Sequence, residues 1–238
     1  MAATRPDPED AGAAAVYRRP MRSSALVPLT DASLAAAAYE LASRDADLAG
    51  IVERHGLPPM WDRPPGFGTL VHLILEQQVS IASAQAAFDR LASRIGAPAP
   101  VAILRLSDAE LLAIGFSRQK AAYVRDLALM IDEGRLDIDG LAGLDDREAC
   151  SRLIAVKGIG AWTANTYLLM ALLRPDVWPA ADIAHAAAVA DVRGFAARPG
   201  ADEMESIGQA WRPWRSVAAR LLWLDYLGRR KRLVGTFA

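Results

Sequence analysis

The sequence predicts an all-α protein with two packed lobes around a cleft. Three features of its 238 residues carry that expectation. Alternation of apolar and polar residues at the period of a strand is nearly absent. Apolar residues recur instead at helical spacing, and the segments they define are bounded by capping residues, glycine or proline, with short connections between them.

Residues 1 to 28 are rich in Ala, Pro, Arg and Asp without sustained periodicity and are expected to form a mobile tail. Thr30 or Asp31 can cap an Ala-rich helix reaching Ser43, and a second helix from Ala46 to His55 is stopped by Gly56 and Pro58. Pro58, Pro59, Pro64 and Pro65 mark a stiff connection. After Gly66, the residues Leu70, Leu73, Ile74, Val79, Ala82 and Leu91 predict one or two buried helices ending near Gly96, with a break around Pro98 and Pro100. Further helices are predicted from Ser107 to Ile114, Ser117 to Glu133, Asp145 to Ala155, Ala161 to Leu173, Asp182 to Val192, and Asp202 to about Tyr226. No repeat of solenoid period is present.

Composition narrows the chemistry. A hydrophobic content of 53% is ample for a globular core, while a net charge of -1 provides no global attraction to nucleic acid, so any DNA-binding face must be a local basic patch. The single cysteine, Cys150, excludes an internal disulfide framework, a four-cysteine zinc site and a four-thiolate iron-sulfur cluster. A reducing cytoplasm fits it. No apolar run approaches the roughly 20 residues of a membrane span, and the N-terminus lacks the layout of a signal peptide, so a soluble, unexported protein is expected. His55, His72 and His185 have no metal-ligand spacing, and neither a Walker loop nor a nucleophile elbow occurs.

One run departs from helical filler: Leu153, Ile154, Ala155, Val156, Lys157, Gly158, Ile159, Gly160, Ala161, Trp162, Thr163, Ala164, joining two predicted helices. Glycines permit a tight turn and close backbone approach, Ile159 can plug the space between the helices, and the free N–H groups opening the second helix suit a phosphodiester. A glycine-capped turn between helices is the ordinary alternative, and Gly-x-Gly alone does not decide. A dinucleotide fingerprint fits poorly, because Thr163 holds its third glycine position and no strand precedes the turn. Asp182, some 20 residues on, reads by itself as the N-cap of the Ala-rich helix after it.

The larger pattern resembles the helix-hairpin-helix (HhH-GPD) superfamily of DNA glycosylases, most closely its 3-methyladenine DNA glycosylase II branch. The similarity spans roughly residues 66 to 226. It covers the blocks Phe67 to Ser80, Gly115 to Leu127, the hairpin, Asp176 to Asp182, and Trp211 to Trp223, in order. The resemblance implies a two-lobed helical fold with a cleft, in which 29–65 plus 193–238 form a terminal lobe and 66–192 form the lobe carrying the hairpin (150–173) and Asp182. It makes Asp182 the catalytic carboxylate. Breaking an N-glycosidic bond develops oxocarbenium-like charge on the sugar, and at about 4 Å with an effective dielectric near 20 a carboxylate supplies about 4 kcal/mol, about a thousandfold in rate.

Relatives that also cleave the backbone place a nucleophilic lysine two residues after the second hairpin glycine; here that residue is Trp162, which implies hydrolysis without lyase activity. The nucleotide must be flipped into a pocket. Trp162 and Trp223 match the aromatics that stack on a cationic base, whereas Thr166 and Ile183 stand where bacterial relatives have tyrosines and Ala181 replaces an acid, leaving the base preference open. Gln78 matches the residue that wedges into the vacated stack. DNA contacts are assigned to Gln78, Lys157, Gly158, Ile159, Gly160, Arg118 and Lys120, with Arg212, Arg215 and the run Arg229, Arg230, Lys231, Arg232 as further basic candidates. The family hairpin also holds a structural Na+ or K+ through main-chain carbonyls, here those of Ile154, Val156 and Ile159, and no other cofactor is implied.

The partner so implied is double-stranded DNA with a damaged base, bound by a monomer without an N-terminal mixed domain, since the compact members lack one. Two other readings remain open at this point. One is a noncatalytic helix-hairpin-helix DNA-binding protein; the other is a glycosylase for oxidised or deaminated bases.

Overall fold

A computed structural model describes residues 27–230. The tail predicted over 1–28 therefore lies outside the described residues except for Val27 and Pro28, as do Lys231 and Arg232. The described residues contain α1 (Asp31–Arg44), α2 (Ala46–His55), α3 (Phe67–Glu76), α4 (Ile81–Ile95), α5 (Pro100–Arg105), α6 (Asp108–Ala113), α7 (Arg118–Asp132), α8 (Asp146–Ile154), α9 (Ala161–Met170), α10 (Ile183–Arg193), α11 (Ala201–Gly208) and α12 (Arg215–Arg229), and no strand among them. None is long and apolar enough to cross a membrane.

Short-range chemistry explains most helix starts. Thr30 and Ser33 form a reciprocal capping box on α1, Ser107 and Glu110 another on α6. Side chains of Asp45, Ser80, Ser117, Asp145 and Asp182 accept the first free N–H groups of α2, α4, α7, α8 and α10. Two predictions are corrected by proline. Pro100 does not break the chain but opens α5, where a missing N–H is harmless. Pro213 divides the helix expected from Asp202 to Tyr226: α11 passes into a 3-10 turn over Gln209–Trp211, the Arg212–Pro213 bond is cis, and α12 begins only at Arg215. α9 also stops short of the expected Leu173, which lies at φ +52°.

Two apolar clusters form. Leu70, Leu73, Ile74, Leu91, Ile103, Val124, Leu127, Leu153 and Leu168 belong to the first; Leu34, Leu41, Leu48, Ile51, Val189, Trp211, Leu221 and Leu222 belong to the second. α9 contributes to both, with Leu168 in one and Leu169 and Met170 in the other, as a helix apolar on all sides should. α10 packs on α12 and buries Ala186, Ala188 and Val189 in the second cluster, although its sequence position groups it with 66–192.

Polar ties inside the second cluster hold α12 in register. Arg220 has no exposed surface and donates to the carbonyls of Met60 (2.7 Å), Ser216 (3.1 Å) and Leu169 (2.8 Å), so it joins α12, α9 and the connection before α3. Burial lowers its pKa to about 9, still above neutral pH. Asp225, equally buried, binds Arg54 at 3.0 Å and His55 at 3.1 Å, tying α12 to α2.

Candidate active site

The hairpin is built by a tight reversal between α8 and α9. Val156 N–H donates to the Leu153 carbonyl and Ile159 N–H to that of Val156, each at 3.1 Å. Gly158 sits at φ +88°, and the ring of Tyr123 fills the space a Cβ would need, so two independent constraints demand glycine. Gly160 is different: it is exposed, at φ -92° with no atom near a Cβ position, and it caps α9 without a side-chain bond. The first N–H groups of α9 thus have no acceptor within the helix. Three ties brace the turn: Tyr123 against Gly158, the Asp126 carboxylate accepting from Lys157 N–H at 3.1 Å, and Gln77 Nε2 donating to the Gly158 carbonyl at 2.9 Å and to Thr163 Oγ1 at 3.0 Å. Ile154 closes α8, and the Val156 carbonyl accepts from Ile159 N–H at 3.1 Å.

Asp182 does cap α10: Oδ1 accepts from His185 N–H at 2.9 Å. The same carboxylate also accepts from Trp162 Nε1 at 2.7 Å on Oδ2 and from Trp223 Nε1 at 3.5 Å on Oδ1, and it is 7% exposed. Burial pushes its pKa up, but the positive charge that His185, 3.9 Å away, takes up in acid and the bonds from Trp162, the His185 N–H and Trp223 outweigh that, holding the carboxyl below its ordinary 3.8. It is ionised at neutral pH. His185, without exposed surface, is pushed down by burial and is neutral there. Its Nε2 lies 3.1 Å from the Ala219 carbonyl and its Nδ1 3.9 Å from Asp182 Oδ1, so the ring is held between two acceptors. The ring stacks between Trp178 (5.3 Å, 12°) and Trp223 (4.4 Å, 27°), which fixes both the imidazole and the second indole.

This carboxylate lines a cavity of about 890 Å³, within the range of ligand pockets. Most of the residues expected from the sequence meet there: Trp162, Thr166, Ile183, Trp223, Gln78, Lys120, Gly158, Ile159 and Gly160 all border it. Gln78 is exposed at the rim in a left-handed conformation, φ +57°, between α3 and α4. Several assignments change in detail. The Ile159 side chain is core, 3% exposed, and its N–H is engaged, which leaves its carbonyl as the group able to face a ligand. Lys120 donates to the Leu75 carbonyl at 2.6 Å, capping the end of α3, and burial lowers its pKa. Thr166 directs its hydroxyl to the Trp162 carbonyl at 2.7 Å. Arg118 and Lys157 are exposed but do not border the cavity. Arg212 and Arg215 are held by Asp176, both at under 3 Å (2.8 and 2.9 Å), so neither is a free phosphate ligand. Arg230 lies over the Tyr226 ring, 3.8 Å from its centroid.

Sequence reasoning missed Trp61, Arg63, Gln77 and Tyr123, all of which border the cavity. Gln77 stood inside a quoted block without an assigned role. Trp61 and Arg63 come from the proline-rich connection, where nothing periodic marks them; Trp61 takes φ +48° and meets Trp223 edge-on at 6.3 Å. Among the described residues no cluster of three or more His, Cys, Asp or Glu could hold a metal ion.

An all-helical fold with a braced hairpin and a buried, ionised aspartate in an aromatic cavity defines the class of helix-hairpin-helix proteins that carry a Gly, Pro and Asp-containing loop. Residues 71–213 match the HhH-GPD superfamily of base excision DNA repair proteins, and the chain belongs to that family. YfjP of Bacillus subtilis is 29% identical over 184 residues, covering 74% of this chain and 64% of its own length. A DNA-3-methyladenine glycosylase of the same organism is 31% identical over 121 residues, covering 51% and 40%. The chain therefore spans less than two thirds of these relatives. Among solved structures, the DNA-3-methyladenine glycosidase of Bacillus halodurans superposes with a TM-score of 0.69 at 30% identity, covering 84% of this chain and 93% of that one. The Schizosaccharomyces pombe 3-methyladenine DNA glycosylase Mag1, in complex with abasic DNA, shares the fold with a TM-score of 0.68 at 24% identity, covering 79% and 95%.

Proposed function

We propose that the protein is a monofunctional DNA glycosylase that hydrolyses the N-glycosidic bond of alkylated purines in base excision repair. The observation that carries this reading is the Asp182 carboxylate: buried, ionised, and aimed by two indole N–H groups into a cavity large enough for a flipped nucleotide. Duplex binding alone requires no such group. As the bond to the base lengthens, the carboxylate stabilises positive charge on the deoxyribose, and it can orient the water that completes hydrolysis. The released base keeps the bonding electron pair, which neutralises the positive charge of an N-alkylated purine, while the water oxygen bonds to the sugar carbon and gives up its proton. Trp162 stands where a lyase has its amine, and Lys157 is outside the cavity, which supports base release without strand cleavage.

In this reading the free N–H groups at the start of α9 and the exposed Gly160 receive a phosphate, with Lys157 and Arg118 adding charge, and Gln78 enters the vacated stack. A Na+ or K+ held by the carbonyls of Ile154, Val156 and Ile159 would brace the hairpin against that phosphate. The protein acts as a monomer on DNA in the cytoplasm.

The test is base release from duplexes carrying single defined lesions, detected by alkaline cleavage, for the wild type and Asp182→Asn. Asparagine retains the helix cap, so the variant should fold and bind DNA but release nothing. No release from any lesion by the wild type defeats the enzyme reading; equal release by Asp182→Asn defeats the role of the carboxylate. Cleavage without alkali that disappears in Lys120→Ala or Lys157→Ala defeats monofunctional chemistry.

A further inference from the structure

Base release by Asp182 leaves one element of the cavity wall unused. Arg63 and Glu76 meet there as a two-pronged pair, Nη2 to Oε1 at 2.7 Å and Nη1 to Oε2 at 3.2 Å, with side chains only 11% and 10% exposed. Arg63 is anchored by its own N–H on the Met170 carbonyl at 3.0 Å, and Glu76 closes α3 directly before Gln77 and Gln78. Withdrawing two opposite charges from water is repaid only in part by their attraction, and a well-packed apolar pair would serve the fold as well. A buried ion pair on a cavity wall therefore asks for a ligand.

Several neighbouring polar groups are committed elsewhere. Trp162 and Trp223 direct their N–H groups at Asp182, Thr166 donates to the Trp162 carbonyl, and Gln77 binds Thr163 and the Gly158 carbonyl. A guanidinium has five N–H donors and a carboxylate about four acceptor sites; the pair engages about two of each, and His72 Nε2 lies 3.7 Å from Glu76 Oε1. Capacity remains on both sides.

We propose that Arg63 and Glu76 read the polar edge of the flipped base and select a purine that carries an exocyclic amino group. Glu76, an acceptor only, takes a hydrogen bond from the amine, and Arg63 donates to the ring atom beside it. A base with oxygen in place of the amine loses that bond and meets the carboxylate's lone pairs instead. The proposal rests on the reading that this cavity receives a damaged purine.

The test uses the full chain with Glu76→Gln and with the double variant Arg63→Met/Glu76→Leu, which removes the pair without stranding a charge. Three duplexes are compared: one with an N-methylated adenine, one with hypoxanthine, and one with an abasic-site analogue, which presents no base. The double variant should melt no lower than the wild type and bind the abasic duplex equally well, yet release the methylated base about ten- to a hundredfold more slowly. Glu76→Gln should lower the preference for methylated adenine over hypoxanthine by about tenfold or more. Wild-type release by the double variant, an unchanged preference in Glu76→Gln, or a parallel loss of melting temperature or abasic affinity overturns the assignment, the last by making the pair structural. A wild type that binds the duplexes and releases neither base defeats the glycosylase reading itself, and this proposal with it.

Discussion

Trp162→Phe isolates a hydrogen bond that helps set the state of the Asp182 carboxylate. The indole N–H lies 2.7 Å from Asp182 Oδ2, on a residue 7% exposed. A hydrogen bond to a charged group stabilises the charged form by roughly 1.5–3 kcal/mol, and about 1.36 kcal/mol corresponds to one pH unit. Phenylalanine keeps an aromatic ring and loses the donor, leaving Oδ1 with the His185 N–H at 2.9 Å and the longer Trp223 contact at 3.5 Å. The Asp182 carboxyl, held below its ordinary 3.8 in the native protein, should therefore titrate at higher pH in the variant. Carboxyl carbon NMR of Asp182 measures this without relying on activity, and the acid limb of single-turnover base release should move with it. At pH 7 both proteins keep the group ionised, so the rate should fall less than in Asp182→Asn. The same sign governs stability. A carboxyl depressed in the folded state contributes stability that is present above its unfolded value and lost as pH falls through the folded one, and the variant should lack part of that contribution. A titration unmoved by the substitution would refute the claim that the indole holds the carboxylate.

The two hairpin glycines should respond differently: Gly158→Ala, at φ +88° and against the Tyr123 ring, is expected to lower the melting temperature and weaken abasic-duplex binding, whereas Gly160→Ala should melt like the wild type and affect only DNA affinity. Equal melting of the two variants would contradict that difference. Arg220→Met takes the donor from the Met60 and Leu169 carbonyls, so a loss of about 3 kcal/mol is expected, seen as a fall of roughly 6–12 °C in calorimetry. His72 stacks on Phe88 at 4.5 Å, and burial, against the opposing pull of Glu76, lowers its pKa from 6.5. The unfolded chain then binds the proton more readily, so stability is intact above 6.5 and declines as pH falls below it. His72→Leu should flatten that decline in melts between about pH 6.5 and pH 5, and an unchanged slope would count against it.

Helix existence and most helix starts were legible in the sequence because they rest on contacts within a turn or two: Thr30, Ser107, Ser117, Asp145 and Asp182 each cap a helix through residues three positions on. The Gly-x-Gly turn, its isoleucine plug and the cap role of Asp182 were local in the same sense. The family pattern then assigned catalysis to that aspartate and aromatic neighbours to Trp162 and Trp223. Tertiary structure decided what those groups do to one another. Trp223 is 41 residues from Asp182, Gln77 is 81 from the glycine it clamps, and Arg220 lies 160 from the Met60 carbonyl it binds. Spacing along the chain carries no record of such pairings. Packing also turned Lys120 inward onto Leu75, tied Arg212 and Arg215 to Asp176, and brought Trp61 and Arg63 out of a proline-rich connection into the cavity wall. The sequence by itself determined a helical scaffold and a carboxylate at the start of α10. Only the folded chain, by turning two indole N–H groups onto that buried carboxylate, keeps it ionised and oriented against the opposing effect of its burial.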